Sequence, residues 1–108
     1  MAERFRPVWS QAAAGDLAAV ARYVAASSPT NAGGLLRRLE RRAGELGTYP
    51  ERGRIVPELS HFGINQYREL VEGPYRIMYR IAGDRVIVVA VLDGRRDLHE
   101  VLLERLVR

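Results

Sequence analysis

Four arginines in one short stretch offer the most chemistry in this chain. Arg76 and Arg80 alternate with apolar residues in the run Tyr75-Arg-Ile-Met-Tyr-Arg-Ile81, and Arg95 and Arg96 follow shortly after. A period of two places Arg76, Met78 and Arg80 on one face of a strand, with Tyr75, Ile77, Tyr79 and Ile81 on the other. Guanidinium groups carry a planar fork of donors that matches phosphate or carboxylate. Gathered on a sheet, they could stabilise a pentacoordinate phosphate during RNA cleavage or grip a carboxylate-rich peptide. They could also be surface charges paired with Glu69, Glu72 and Asp97.

Other chemistries find no residues. The two histidines, His61 and His99, are far apart in sequence, and no HExxH or clustered carboxylates accompany them, so no metal is expected. Cysteine is absent, which removes thiolate ligands, disulfides and Cys-His nucleophiles. No glycine-rich phosphate loop follows a strand, and no cofactor is expected.

The arginines need a scaffold, and 108 residues suffice for one domain spanning 1–108. With 47% hydrophobic residues and no low-complexity run, the composition is that of a soluble globular protein. All 17 cationic side chains are Arg and the net charge is +4, which favours nucleic acid or an acidic protein as partner. A GC-rich genome would also replace Lys by Arg. No secretory leader and no apolar stretch of membrane-spanning length is present, so a cytoplasmic protein without a membrane partner is expected.

Phe5 to Trp9 reads as an extended edge segment containing Pro7. Ser10 is placed to cap a helix over Gln11–Ala26, with Ala13, Leu17, Val20 and Val24 as its apolar stripe. Ser28 and Pro29 start a second helix that runs to about Leu46 and stops at Gly47. Its stripe is Ala32, Leu35, Leu36, Leu39, Ala43 and Leu46, with Arg37 and Arg41 on the opposite side. Residues 48–66 show no sustained period and read as loop, with Arg52 and Arg54 beside Gly53. Three strands follow over 67–92, joined by turns at Gly73-Pro74 and Ala82-Gly83-Asp84, and the chain leaves the sheet through Asp93-Gly94-Arg95-Arg96-Asp97. The last strand is apolar from Val86 to Leu92, as one covered on both faces would be. Asp97, with Glu100 three residues on, predicts a capping box for a final helix bearing Leu98, Val101, Leu102 and Leu106 on one side. The expected fold is α+β, an N-terminal strand and helical hairpin packed on a small, mainly antiparallel sheet, closed by a C-terminal helix.

This order of elements, the loop YPERGRIVPEL, the hairpin REL…PYRIMYRI and the exit VLDGRRDL together resemble the RelE/ParE superfamily of bacterial toxins. These are the toxic halves of type II toxin–antitoxin modules. The resemblance covers nearly the whole chain and implies two alternatives. RelE-like members cut messenger RNA in the ribosomal A site with lysines on the first hairpin strand, arginines beyond it, and a tyrosine in the last helix or a terminal His-Tyr pair. Here Arg76 and Arg96 match the arginines. Tyr67 and Glu69 stand at the lysine positions, Leu102 stands at the tyrosine, and no His-Tyr ending exists.

ParE-like members lack that set and trap DNA gyrase, and their (H)GxRD exit is close to Asp93-Gly94-Arg95-Arg96-Asp97, with Asp93 where His is common. The resemblance therefore implies a gyrase-directed toxin, with a ribosome-dependent mRNA endonuclease using Arg76, Arg96 and Glu69 as the alternative. Either branch implies a cognate antitoxin whose acidic or amphipathic C-terminal segment covers the toxin. The residues expected to meet target or antitoxin are Arg76, Met78, Arg80, Arg95, Arg96, Leu102 and Leu106, the last two on the apolar flank of the final helix.

Overall fold

A computed structural model describes residues 5–107. Strand β1 (Arg6–Trp9) leads into helices α1 (Gln11–Ala25) and α2 (Pro29–Gly44), and a 3-10 turn over Glu45–Gly47 ends the second helix. Both predicted caps form. Ser10 Oγ accepts from the Ala13 N–H at 3.0 Å and Ser28 Oγ accepts from the Asn31 N–H at 3.2 Å. Each satisfies one of the donors that a helix start leaves open, worth about 1 kcal/mol.

Strands β3 (Tyr67–Glu72), β4 (Tyr75–Ala82) and β5 (Arg85–Asp93) make two consecutive hairpins. Gly73 and Gly83 have φ of 60° and 63° at the first turn position, where a two-residue hairpin with the twist of its strands requires it. The five-stranded sheet has the order β1-β5-β4-β3-β2, with β1 parallel to β5 and every other pair antiparallel. The α+β architecture with a mainly antiparallel sheet and C-terminal helix agrees with the sequence.

Two elements lie inside the segment read as loop: β2 (Arg54–Ile55) and the single-turn helix α3 (Pro57–Ser60). Two residues are too few to display a strand period. For α3 the signal was Pro57 followed by Glu58, a residue fixed for the first helical position and an acid in the first turn.

The sheet has a core on each side. On one face α1, α2 and the 3-10 turn lay Ala13, Leu35, Leu39, Ala43 and Leu46 against Tyr75, Ile77, Tyr79, Val86 and Val88. On the other, α3, helix α4 (His99–Leu102) and the π-helical turn after it (Leu103–Val107) cover Met78, Ala90 and Leu92 with Leu59, Leu98 and Leu102. Strand β5 serves both cores, as its unbroken apolar run requires. A bulge between the pairs Met78↔Ala90 and Tyr79↔Val88 adds Val89 to that strand. Beyond the end of β1, side chains take over from the ladder: the Val91 N–H donates to Asp16 Oδ2 at 3.0 Å and the Val89 carbonyl accepts from Arg105 at 3.0 Å.

The predicted capping box does not form. Helix α4 begins at His99, and Asp97 accepts from the His99 N–H only two residues ahead, at 3.1 Å. With Asp97 outside the cap position, Glu100 has no reciprocal role.

Candidate functional site

Arg76 lies on the predicted face, but that face is roofed. Helix α3 brings Glu58 over it, and the Glu58 carboxylate accepts from both terminal nitrogens of Arg76 at 2.6 and 2.7 Å. Glu69, opposite Met78 on the neighbouring strand, takes the Arg76 Nε–H at 2.7 Å through one oxygen and the Arg54 Nε–H at 2.6 Å through the other. The Glu69 side chain is 0% exposed and that of Arg76 9%. The Arg76 guanidinium holds the Glu58 carboxyl down at about 2, and the two carboxylates push Arg76 further up. The chain Arg54–Glu69–Arg76–Glu58 is thus a partly buried network of alternating sign.

This corrects the expectation of an open guanidinium cradle. Arg76 is occupied on both ends of its fork, and Glu69 faces guanidiniums instead of solvent. Met78 and Leu102 are also fully buried, inside the second core, because the apolar flank of α4 packs onto the sheet. Leu106 packs at the edge of the same core and keeps partial exposure. Arg80, two residues beyond Met78, has partial exposure and no ion-pair partner among the described residues.

At the exit of β5, Arg95 folds back onto Asp93 through contacts of 2.7 and 3.0 Å, which lower the Asp93 carboxyl to about 2. Gly94 lets this exit cross Arg76: a β-carbon here would stand 2.7 Å from Arg76 Cδ, and the Gly94 N–H donates to the Pro74 carbonyl at 2.7 Å. Arg96 turns elsewhere and lines a groove of about 370 Å³ with Asp16, Val20, Tyr23, Tyr75 and Asp93. Tyr23 on its rim is 74% exposed. Burial, reinforced by Asp93, raises the Tyr75 phenol. Three of the four arginines therefore serve three settings, an ion network, an exit turn and a groove with α1, and Arg80 stands apart from all of them.

The sequence reading missed Glu58 and Tyr23. Asp16, Ala19 and Tyr23 follow helical spacing beside the α1 stripe, and that second row was the available signal. His99 also gains a partner, its Nδ1 lying 2.9 Å from Asp97 Oδ1, while both residues stay exposed. Hydrogen bonds from His99 lower the Asp97 carboxyl.

No group of three or more His, Cys, Asp or Glu among the described residues could hold a metal ion. No described helix is long and apolar enough to cross a membrane.

Residues 8–98 match the family model for the ParE toxin of the type II toxin–antitoxin system parDE. Over 90 residues the chain is 36% identical to Toxin RelE2 of Caulobacter vibrioides, covering 82% of this chain and 94% of that one. Its fold is similar to a solved structure from the chromosomal ParDE system of P. aeruginosa, with TM-score 0.65 and 20% identity over 83% of this chain and 96% of the other.

Proposed function

Because the chain belongs to the ParE toxin family of type II toxin–antitoxin systems, we propose that it arrests growth by binding DNA gyrase and not by cutting RNA. One observation carries this reading: Arg76 and Glu69, the pair a nuclease would need, neutralise each other inside a buried network. A phosphate entering there would have to displace two carboxylates, and Glu69 could not reach a 2′-hydroxyl. What remains accessible suits binding: Arg95, Arg96 and Arg80, the half-buried Leu106, and the Tyr23 groove. An antitoxin that covers this surface would neutralise the toxin.

The test is a supercoiling assay with purified gyrase, relaxed plasmid and ATP. Loss of supercoiled product and accumulation of cleaved plasmid are expected. Unimpaired supercoiling, together with cuts in a translated messenger RNA, would transfer the chain to the ribosome-dependent endonucleases.

A further inference from the structure

The second sheet face is covered at one end only. Around Leu92, Arg76 and Met78 it lies beneath α3 and α4, and the π-helical turn reaches as far as Tyr67 and Val89, but among the described residues no helix lies over the end toward β1. Strand alternation and register place the residues there. Phe5 and Trp9 pack into the first core, so Arg6 and Val8 face the other way. Val86 and Val88 likewise leave Arg85 and Ile87 on that second face, and Tyr79 and Ile81 leave Arg80 and Ala82. Arg6 is registered against Arg85, Arg85 against Ala82, and Val8 against Ile87, which is itself opposite Arg80. Three arginines thus surround an aliphatic strip of Val8, Ile87 and Ala82. Val8 and Ile87 are half-buried and belong to neither core cluster.

Arg6 and Arg85 are side by side on neighbouring strands, about 4.8 Å apart along the hydrogen-bonding direction. Like charges so placed repel each other. None of Arg6, Arg80 and Arg85 has an ion-pair partner among the described residues, whereas Glu45, Glu58, Glu69, Glu72, Asp16 and Asp93 are all engaged elsewhere. An anion placed above the three arginines would relieve this repulsion. The apolar strip decides what kind. A phosphodiester backbone gains nothing from Val8 and Ile87, and among the described residues the exposed aromatic rings, Tyr23, Tyr49 and Phe62, all lie outside β1, β4 and β5, so none on these strands could stack a base. A peptide alternating carboxylates with aliphatic side chains would satisfy both features.

From this like-charged, half-apolar register we infer that the open end of the sheet, at Arg6, Arg80 and Arg85, is the docking surface for an acidic, aliphatic segment of the antitoxin. The inference rests on the toxin–antitoxin reading and adds a place on the fold. Carboxylates meet the three guanidiniums while aliphatic side chains close over Val8 and Ile87, and the repulsion between Arg6 and Arg85 is relieved.

The experiment compares the wild-type chain, Arg80→Glu/Arg85→Glu and, as a control for net charge, Arg37→Glu/Arg41→Glu on α2. Each is titrated with the antitoxin that binds the wild type, at two salt concentrations. The sheet variant should lose affinity at least about tenfold and show a weaker salt dependence, and the helix variant should change by less than about threefold. Should the charge reversal prevent folding, Arg80→Gln/Arg85→Gln should show the same direction. Equal losses in both variants, or none in either, overturns the docking surface while leaving the antitoxin partnership intact. An antitoxin that never binds the wild type removes the partnership itself. A labelled 20-base-pair DNA duplex serves as the second probe: duplex binding lost in the sheet variant with antitoxin affinity unchanged would give the face to nucleic acid and overturn the inference.

Discussion

Glu58 and Arg76 meet fork to fork, two hydrogen bonds of 2.6 and 2.7 Å joining a one-turn helix to the central hairpin. The same arginine neutralises Glu69, whose side chain is 0% exposed. Arg76→Ala would leave Glu69 with only the outer guanidinium of Arg54, and a buried carboxylate stripped of its main partner costs about 3–5 kcal/mol. Arg76→Ala should therefore lower the denaturant midpoint far more than Arg96→Ala, whose side chain lines an open groove. Equal midpoints would mean that the network contributes nothing to the fold.

The same pair sets an acid limit. The Glu58 carboxyl is held at about 2 in the fold against an ordinary value of 4.5. Between those values the unfolded chain binds more protons than the folded one, so stability rises with pH in that window. The contribution is complete above about pH 4.5 and is lost as pH falls toward 2. Glu58→Gln should be less stable than wild type at neutral pH, and the gap should narrow through this acid range. Chemical denaturation at stepped pH measures both slopes, and parallel slopes would exclude Glu58 as their origin.

Gly94 is set by the side chain beneath it. A β-carbon at this position would approach Arg76 Cδ to 2.7 Å and the Pro74 carbonyl oxygen to 3.2 Å. The Arg76 stem cannot yield freely, since both ends of its fork are hydrogen-bonded. Gly94→Ala should then destabilise by about 1–3 kcal/mol through overpacking. Combining it with Arg76→Met, which frees the stem, should cost less than the sum of the single changes. Additive effects in that double-mutant cycle would contradict the contact.

How much of this could be read from the residues varies with the length of the signal. Helices α1 and α2 were plain, because Ser10, Ser28, Pro29 and long apolar stripes all agree. The hairpins were equally plain from period-two alternation and Gly73 and Gly83. What the sequence withheld was which charges meet. Arg76 on a polar-looking face suggested an open site, since nothing local announces that Glu58, 18 residues away, will close over it. Met78 and Leu102 were misread for a related reason: a sheet with a visible core on one face can carry a second core on the other, built from elements as short as α3 and α4. Short elements carry little periodicity, yet here they decide which residues stay accessible.

Tyr79 shows that the loop before β2 is held from beneath. Its hydroxyl donates to the Pro50 carbonyl at 2.6 Å and accepts from the Gly53 N–H at 3.0 Å, and its ring is fully buried. Burial raises the Tyr79 phenol, so it stays a protonated donor at neutral pH. Tyr79→Phe keeps the ring but leaves two buried backbone groups without partners, a loss of about 1–3 kcal/mol. The defect should be local as well as global. The Gly53 amide should exchange with solvent faster in Tyr79→Phe, while amides of α1 should follow only the overall loss of stability. Arg54 leaves this loop to reach Glu69, so loosening it should also weaken the coupling between Arg54 and Arg76. Hydrogen exchange that changes uniformly along the chain would show instead that Tyr79 contributes bulk alone.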